Sequence, residues 1–97
     1  MADTYTYLFI RRDLSPAQQI IQATHAQQGI GADGITNTVL IGAKDEYDLL
    51  LHAARLSEHG IEHHTFWEPD IGEHTAIATK PIKPEARGAL RKLPLYR

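Results

Sequence analysis

Hydrophobic and polar positions along the chain alternate between two periods. Thr4–Arg12 ("TYTYLFIRR") is rich in β-branched and aromatic residues and predicts a central strand. Ser15, Pro16 and Gln18 then open a helix. The serine can cap, the proline suits the first turn, and Ser-x-x-Gln completes a capping box. This helix is expected to run to about Gln28 and to stop at Gly29 as a left-handed C-cap. Asn37–Ala43 ("NTVLIGA") reads as a second, buried strand. Asp45 caps a second helix in which Tyr47, Leu50, Leu51 and Ala54 recur at helical spacing, and Gly60 ends it. Ile61–Glu68 predicts a third strand, "PDIGEH" a turn, and Thr75–Ile82 a fourth strand. A helix over Pro84–Lys92 and an apolar "LPLY" tail follow.

The order β-α-β-α-β-β-α predicts an α/β fold, a mixed four-stranded sheet flanked by helices on both faces. The two crossover units require some parallel pairing with right-handed connections, and the short turn favours an antiparallel last pair. With 97 residues the chain is expected to form one domain over 1–97. Its 42% hydrophobic and 23% charged residues are ordinary for a soluble protein. The absence of cysteine removes disulfides, thiolate metal sites and cysteine nucleophiles. "MADTYTYLFIRR" is too short and tyrosine-rich for a signal peptide, and no apolar run is long enough for a membrane span, so a cytoplasmic location is expected.

Charge is uneven. Lys80, Lys83, Arg87, Arg91, Lys92 and Arg97 crowd the last stretch against Glu85 alone. Such a cationic run can contact phosphates, with Arg11 and Arg12 joining it, or can simply be a solvated surface.

Two apparent motifs carry little. "GIGADG" (29–34) fits the dinucleotide pattern G-x-G-x-x-G, but it follows a helix and leads into a strand, the reverse of what a pyrophosphate needs. His59 and His63 have a zinc-like spacing that Gly60 interrupts. His63 and His64 point to opposite faces of a strand, and His74 adds no spacing that closes a metal's coordination. No metal or cofactor is expected.

On the first helix, Ala17, Ile20, Ile21 and Thr24 form an apolar side expected to face the sheet. Gln18, Gln22 and His25 lie beside it within about 60° of one another, at the seam where a cleft could open. Capping by Gln18, solvation of Gln22 and boundary packing of His25 would explain them without a site. Asp70, in a tight exposed bend, and Thr75, at the start of a strand, could add a carboxylate and a hydroxyl to the sheet rim. Asp is also an ordinary turn former.

Taken together, "FIRRDLSPAQQIIQATHA", "VLIGAKDEYDLLLHAARLSEHGI" and "EPDIGEHTAIATKPI" resemble the type II peptidyl-tRNA hydrolase family over roughly Tyr5 to Pro81. The resemblance implies a mixed sheet flanked by helices, frequent dimerisation, no cofactor, and hydrolysis of the ester joining a peptide to the 3′ end of tRNA. It matches Gln22, Thr24 and His25 to the family's helix motif, Asp70 to its acidic turn residue, and Thr75 to the threonine of its last strand. Gln18 stands where the family usually has a lysine, for which Lys44 is no obvious replacement, and the segment between Gly72 and Thr75 is shortened.

Ester cleavage needs a positioned water, a proton acceptor and stabilisation of the oxyanion. Asp70 can serve the water, Thr75 the tetrahedral oxygen, and His25 or Gln22 the substrate, while Gln18 can donate a hydrogen bond but brings no charge. Thr24, Lys80, Lys83, Arg87 and Arg91 are candidates for substrate and phosphate contacts. A non-catalytic relative that binds RNA ends, a nucleotide or a protein partner is the alternative, and a structural homodimer a third.

Overall fold

The computed structural model describes residues 3–31, 34 and 36–96. Arg97 and the Ala32–Asp33 part of the glycine-rich stretch lie outside the described residues. The elements are β1 (Tyr5–Arg11), α1 (Pro16–Ile30), β2 (Asn37–Ala43), α2 (Glu46–Glu58), β3 (His63–Glu68), β4 (Glu73–Thr79) and a closing 3-10 helix (Pro84–Leu90).

The sheet has the order β2-β1-β4-β3, with β1 parallel to β2 and antiparallel to β4, and β4 antiparallel to β3. Three strands therefore share one direction, as the two helical crossovers demand, and β4 opposes them. The third strand begins at His63 rather than Ile61. The fourth spans Glu73–Thr79, because Pro81 breaks its ladder and leaves only a bridge between Ile82 and Tyr5. The "LPLY" tail lies along the outer edge of β2, where Leu95 bridges Ile41 and the Tyr96 amide donates to the Leu40 carbonyl at 2.8 Å.

Alternation along β1 and β4 divides the core in two. On one face Tyr7, Phe9, Ile41 and Ile77 pack against Leu49 and Leu56 of α2 and Leu90 of the 3-10 helix. On the other, Leu8, Ile10, Ala76 and Ala78 pack against Ala26 of α1. Helices thus flank both faces.

Both long helices are turned differently from their apolar stripes. On α1 the expected inward residues Ala17, Ile20, Ile21 and Thr24 are exposed, Ile20 by 69%. Gln22 and Ala26 are buried instead, flanked by the half-buried Gln19, Ala23 and Ile30. The reason is steric. The facing sheet surface carries Ala76 and Ala78, and small residues on the helix let the two backbones come close. On α2, Leu49, His52, Ala53 and Leu56 face the sheet, whereas Tyr47 is 73% exposed and Leu50 and Leu51 also face outward.

The caps follow the sequence in part. Ser15 Oγ accepts from the Gln18 amide at 3.2 Å and Asp45 Oδ1 from the Asp48 amide at 2.9 Å. The Gln18 side chain does not reach back to complete the box, since its Oε1 accepts from Gln22 Nε2. The helix does not stop at Gly29. Gly31 is the left-handed residue, with φ 65°, and its amide closes on the Gln27 carbonyl.

Candidate functional site

Thr75 is the residue on which the site turns. Phe66 pairs with Ala76 and Trp67 with His74, so Thr75 is the extra residue of a β-bulge in β4. A bulge re-aims a side chain that strict alternation would send to the opposite face. Thr75 Oγ1 accordingly donates to Gln22 Oε1 on α1 at 2.8 Å. Gln22 Nε2 in turn donates to Gln18 Oε1 at 3.1 Å, which orients the Gln18 amide and leaves its NH2 group as a donor at the surface. Thr75 is 0% and Gln22 1% exposed, whereas Gln18 is exposed. The chain runs from the sheet interior to solvent.

His25 sits one turn further along α1. Its ring packs against Phe66 with centroids 4.9 Å apart and planes at 51°. Its Nδ1 is buried with no hydrogen-bond partner. Together with Gln28, Gly29, His64 and Phe66 it lines an open groove of about 420 Å³ between α1 and β3. His64, Phe66 and Gly29 were not among the sequence candidates. As a helix C-cap Gly29 carries no sign of a packing role; only the continuation of α1 to Ile30 puts it inside the helix, against the His64 ring.

Asp70 is exposed in the turn after β3, where the amides of Ile71 and Gly72 both donate to the Glu68 carbonyl. The turn lies at the end of the sheet that also holds the start of α1. Thr24 is not part of the arrangement. It is exposed, and its hydroxyl donates to the Ile20 carbonyl one turn back at 2.9 Å.

The basic candidates fare unequally. Lys83 and Arg91 are exposed. Lys80 Nζ pairs with Glu62 Oε2 at 2.9 Å. Arg87 is committed to the fold: its guanidinium lies 3.6 Å from the centroid of the Tyr5 ring and donates to Tyr7 Oη at 2.9 Å. Arg11 is also structural. It is 5% exposed and bonds Asp13 at 2.7 and 3.0 Å and Glu73 at 2.9 Å. The bonds from Arg11 to Asp13 hold the Asp13 carboxyl below its ordinary value.

On the α2 face, Glu46 Oε2 accepts from the His74 amide at 2.8 Å, and His74 Nδ1, 3.4 Å from the same oxygen, makes no hydrogen bond. Among the described residues no group of three or more His, Asp or Glu side chains could hold a metal ion. No helix among them is long and apolar enough to cross a membrane.

No family model matches the chain, and no curated protein matches it. A solved structure does. A protein of unknown function from Agrobacterium tumefaciens strain C58 superposes with a TM-score of 0.71 at 16% identity, covering 100% of each chain. At that identity the likeness shows a shared fold.

Proposed function

We propose that the protein engages the 3′ end of peptidyl-tRNA and hydrolyses the ester there, in the manner of the type II peptidyl-tRNA hydrolases that its sequence resembles. The observation that carries this reading is the Thr75–Gln22 hydrogen bond. It ties the "QATHA" helix motif to the threonine of the last strand, two segments that the resemblance assigns to one site. A substrate of this kind implies work alongside translation in the cytoplasm.

Burial divides the roles. Thr75 and Gln22, closed to solvent and bonded to each other, act as positioning residues for the Gln18 amide. Asp70 and Gln18 are the exposed groups able to meet substrate. The carboxylate would accept a proton from the attacking water and the Gln18 NH2 would donate to the developing oxyanion. A neutral amide stabilises that oxyanion less than an ammonium, so turnover is slow. Lys83 and Arg91 supply phosphate contacts.

The same burial favours a second reading, binding of the RNA end without turnover, because the Thr75 hydroxyl has no path to a substrate oxygen while Gln22 holds it. Binding of N-acetylaminoacyl-tRNA tests both. Affinity that falls when the terminal 3′ nucleotides are removed, and that falls with salt by a slope near the number of phosphates neutralised, supports engagement of the tRNA end. Cleavage above the buffer rate then separates the hydrolase from the binding protein. Equal affinity with and without the 3′ nucleotides contradicts both readings.

A further inference from the structure

The groove between α1 and β3 is built from rings. Phe66 stands between two imidazoles, 4.9 Å from His25 and 6.4 Å from His64, with planes tilted by 51° and 54°. Gly29 shapes the wall. A Cβ there would come within 2.3 Å of the His64 ring, so the glycine is what lets that imidazole lie against the helix backbone. The groove's volume of about 420 Å³ falls within the range of small-ligand sites, about 300–1,000 Å³. Its lining carries no permanently charged side chain, only two histidines, a phenylalanine, a glycine and the Gln28 amide. This chemistry suits a neutral, planar, hydrogen-bonding ring rather than a phosphate.

We infer that this groove takes the terminal nucleobase of an RNA 3′ end, stacked among His25, His64 and Phe66 with the Gln28 amide at its edge. The inference rests on the tRNA reading above and adds to it the subsite that grips the last nucleotide. The position fits. His25 follows Gln18 by seven residues, a rise of about 10.5 Å along the helix, which one nucleotide and the reach of the Gln18 side chain together span. An ester carried on the terminal ribose must lie within one nucleotide of that nucleotide's own base. Stacking is tolerant of base identity, so any preference comes from the exposed Gln28 amide.

Adenosine and ribose 5-phosphate are the probes, titrated into the full chain while the imidazole signals of His25 and His64 are followed by NMR. The Trp67 indole, edge-on to His74 on the other sheet face, is the internal control. Adenosine is expected to shift both histidines and leave Trp67 in place, and ribose 5-phosphate to shift neither. His64→Ala should weaken adenosine binding about tenfold, the loss of one stacking face, and His64→Phe should retain it. Absence of histidine shifts, equal shifts from ribose 5-phosphate, or unchanged affinity in a folded His64→Ala overturns the subsite. Should His64→Ala fail to fold, the shifts in the wild-type protein decide alone. Adenosine binding at the histidines without any binding of tRNA leaves the subsite standing and defeats the tRNA reading. Tight tRNA binding indifferent to His64→Ala does the reverse.

Discussion

Thr75 Oγ1 donates a 2.8 Å hydrogen bond to Gln22 Oε1 between two side chains sealed from water, and a bulge in β4 turns the hydroxyl that way. Thr75→Val keeps the shape but leaves the glutamine oxygen unpaired in the interior. The expected loss is about 1–3 kcal/mol of stability, with a similar loss for Gln22→Leu. The double variant should lose less than the sum, because no orphaned polar atom remains. Urea unfolding of the four proteins as a double-mutant cycle reads the difference.

Arg11 makes the protein acid-sensitive through Asp13. The guanidinium lowers the Asp13 pKa below its reference value of 3.8, so the folded state binds that proton less readily than the unfolded chain. The contribution is fully present above the unfolded pKa and is lost as pH falls through the lowered one. Urea midpoints should drop below about pH 4, and Arg11→Met should flatten that part of the curve while lowering the plateau.

His52 adds a second, milder pH step. Its ring packs 4.9 Å from Phe9, and burial lowers its pKa, helped by Arg55 and opposed by Asp48. The neutral form is favoured in the folded state. Stability from this residue is therefore present above the unfolded pKa of about 6.5 and declines as pH falls through the lowered folded value. His52→Leu should remove the slope between about pH 5 and 7, as measured by unfolding midpoints across that range.

Gly31, and not Gly29, is the left-handed cap of α1. At Gly31 the backbone is left-handed with open space around it, so Gly31→Ala should cost about 1–2 kcal/mol from conformation alone. Gly29→Ala meets no such backbone penalty but drives a methyl into the His64 ring. Thermal unfolding should show the first loss, and the NMR signal of the His64 ring should report the second.

Much of the frame is legible in the residues. Ser15 and Asp45 mark both helix starts, the β-branched runs give the strands, and the two crossover helices require parallel pairing. Which side of each helix docks is not legible. Ile20 and Ile21 on α1 and Tyr47, Leu50 and Leu51 on α2 form regular apolar stripes that remain exposed; on α1 the sheet surface of Ala76 and Ala78 selects small partners. Periodicity finds a stripe but carries no information about the surface it must fit. The bulge is equally silent in sequence. Alternation from Ile77 would send Thr75 to the α2 face, and the extra residue reverses it. The site's Gln18–Gln22 pairing follows from i, i+4 spacing. The groove residues His64 and Phe66 needed the sheet register to join His25.

The central claim is tested most directly by single-turnover hydrolysis of N-acetylaminoacyl-tRNA. The wild-type protein is expected to cleave the ester slowly but above the buffer rate. Gln18→Lys should accelerate it by adding charge near the oxyanion, and Asp70→Asn should abolish cleavage in either background. A wild-type rate indistinguishable from buffer, or a rate untouched by Asp70→Asn, would contradict the hydrolase reading.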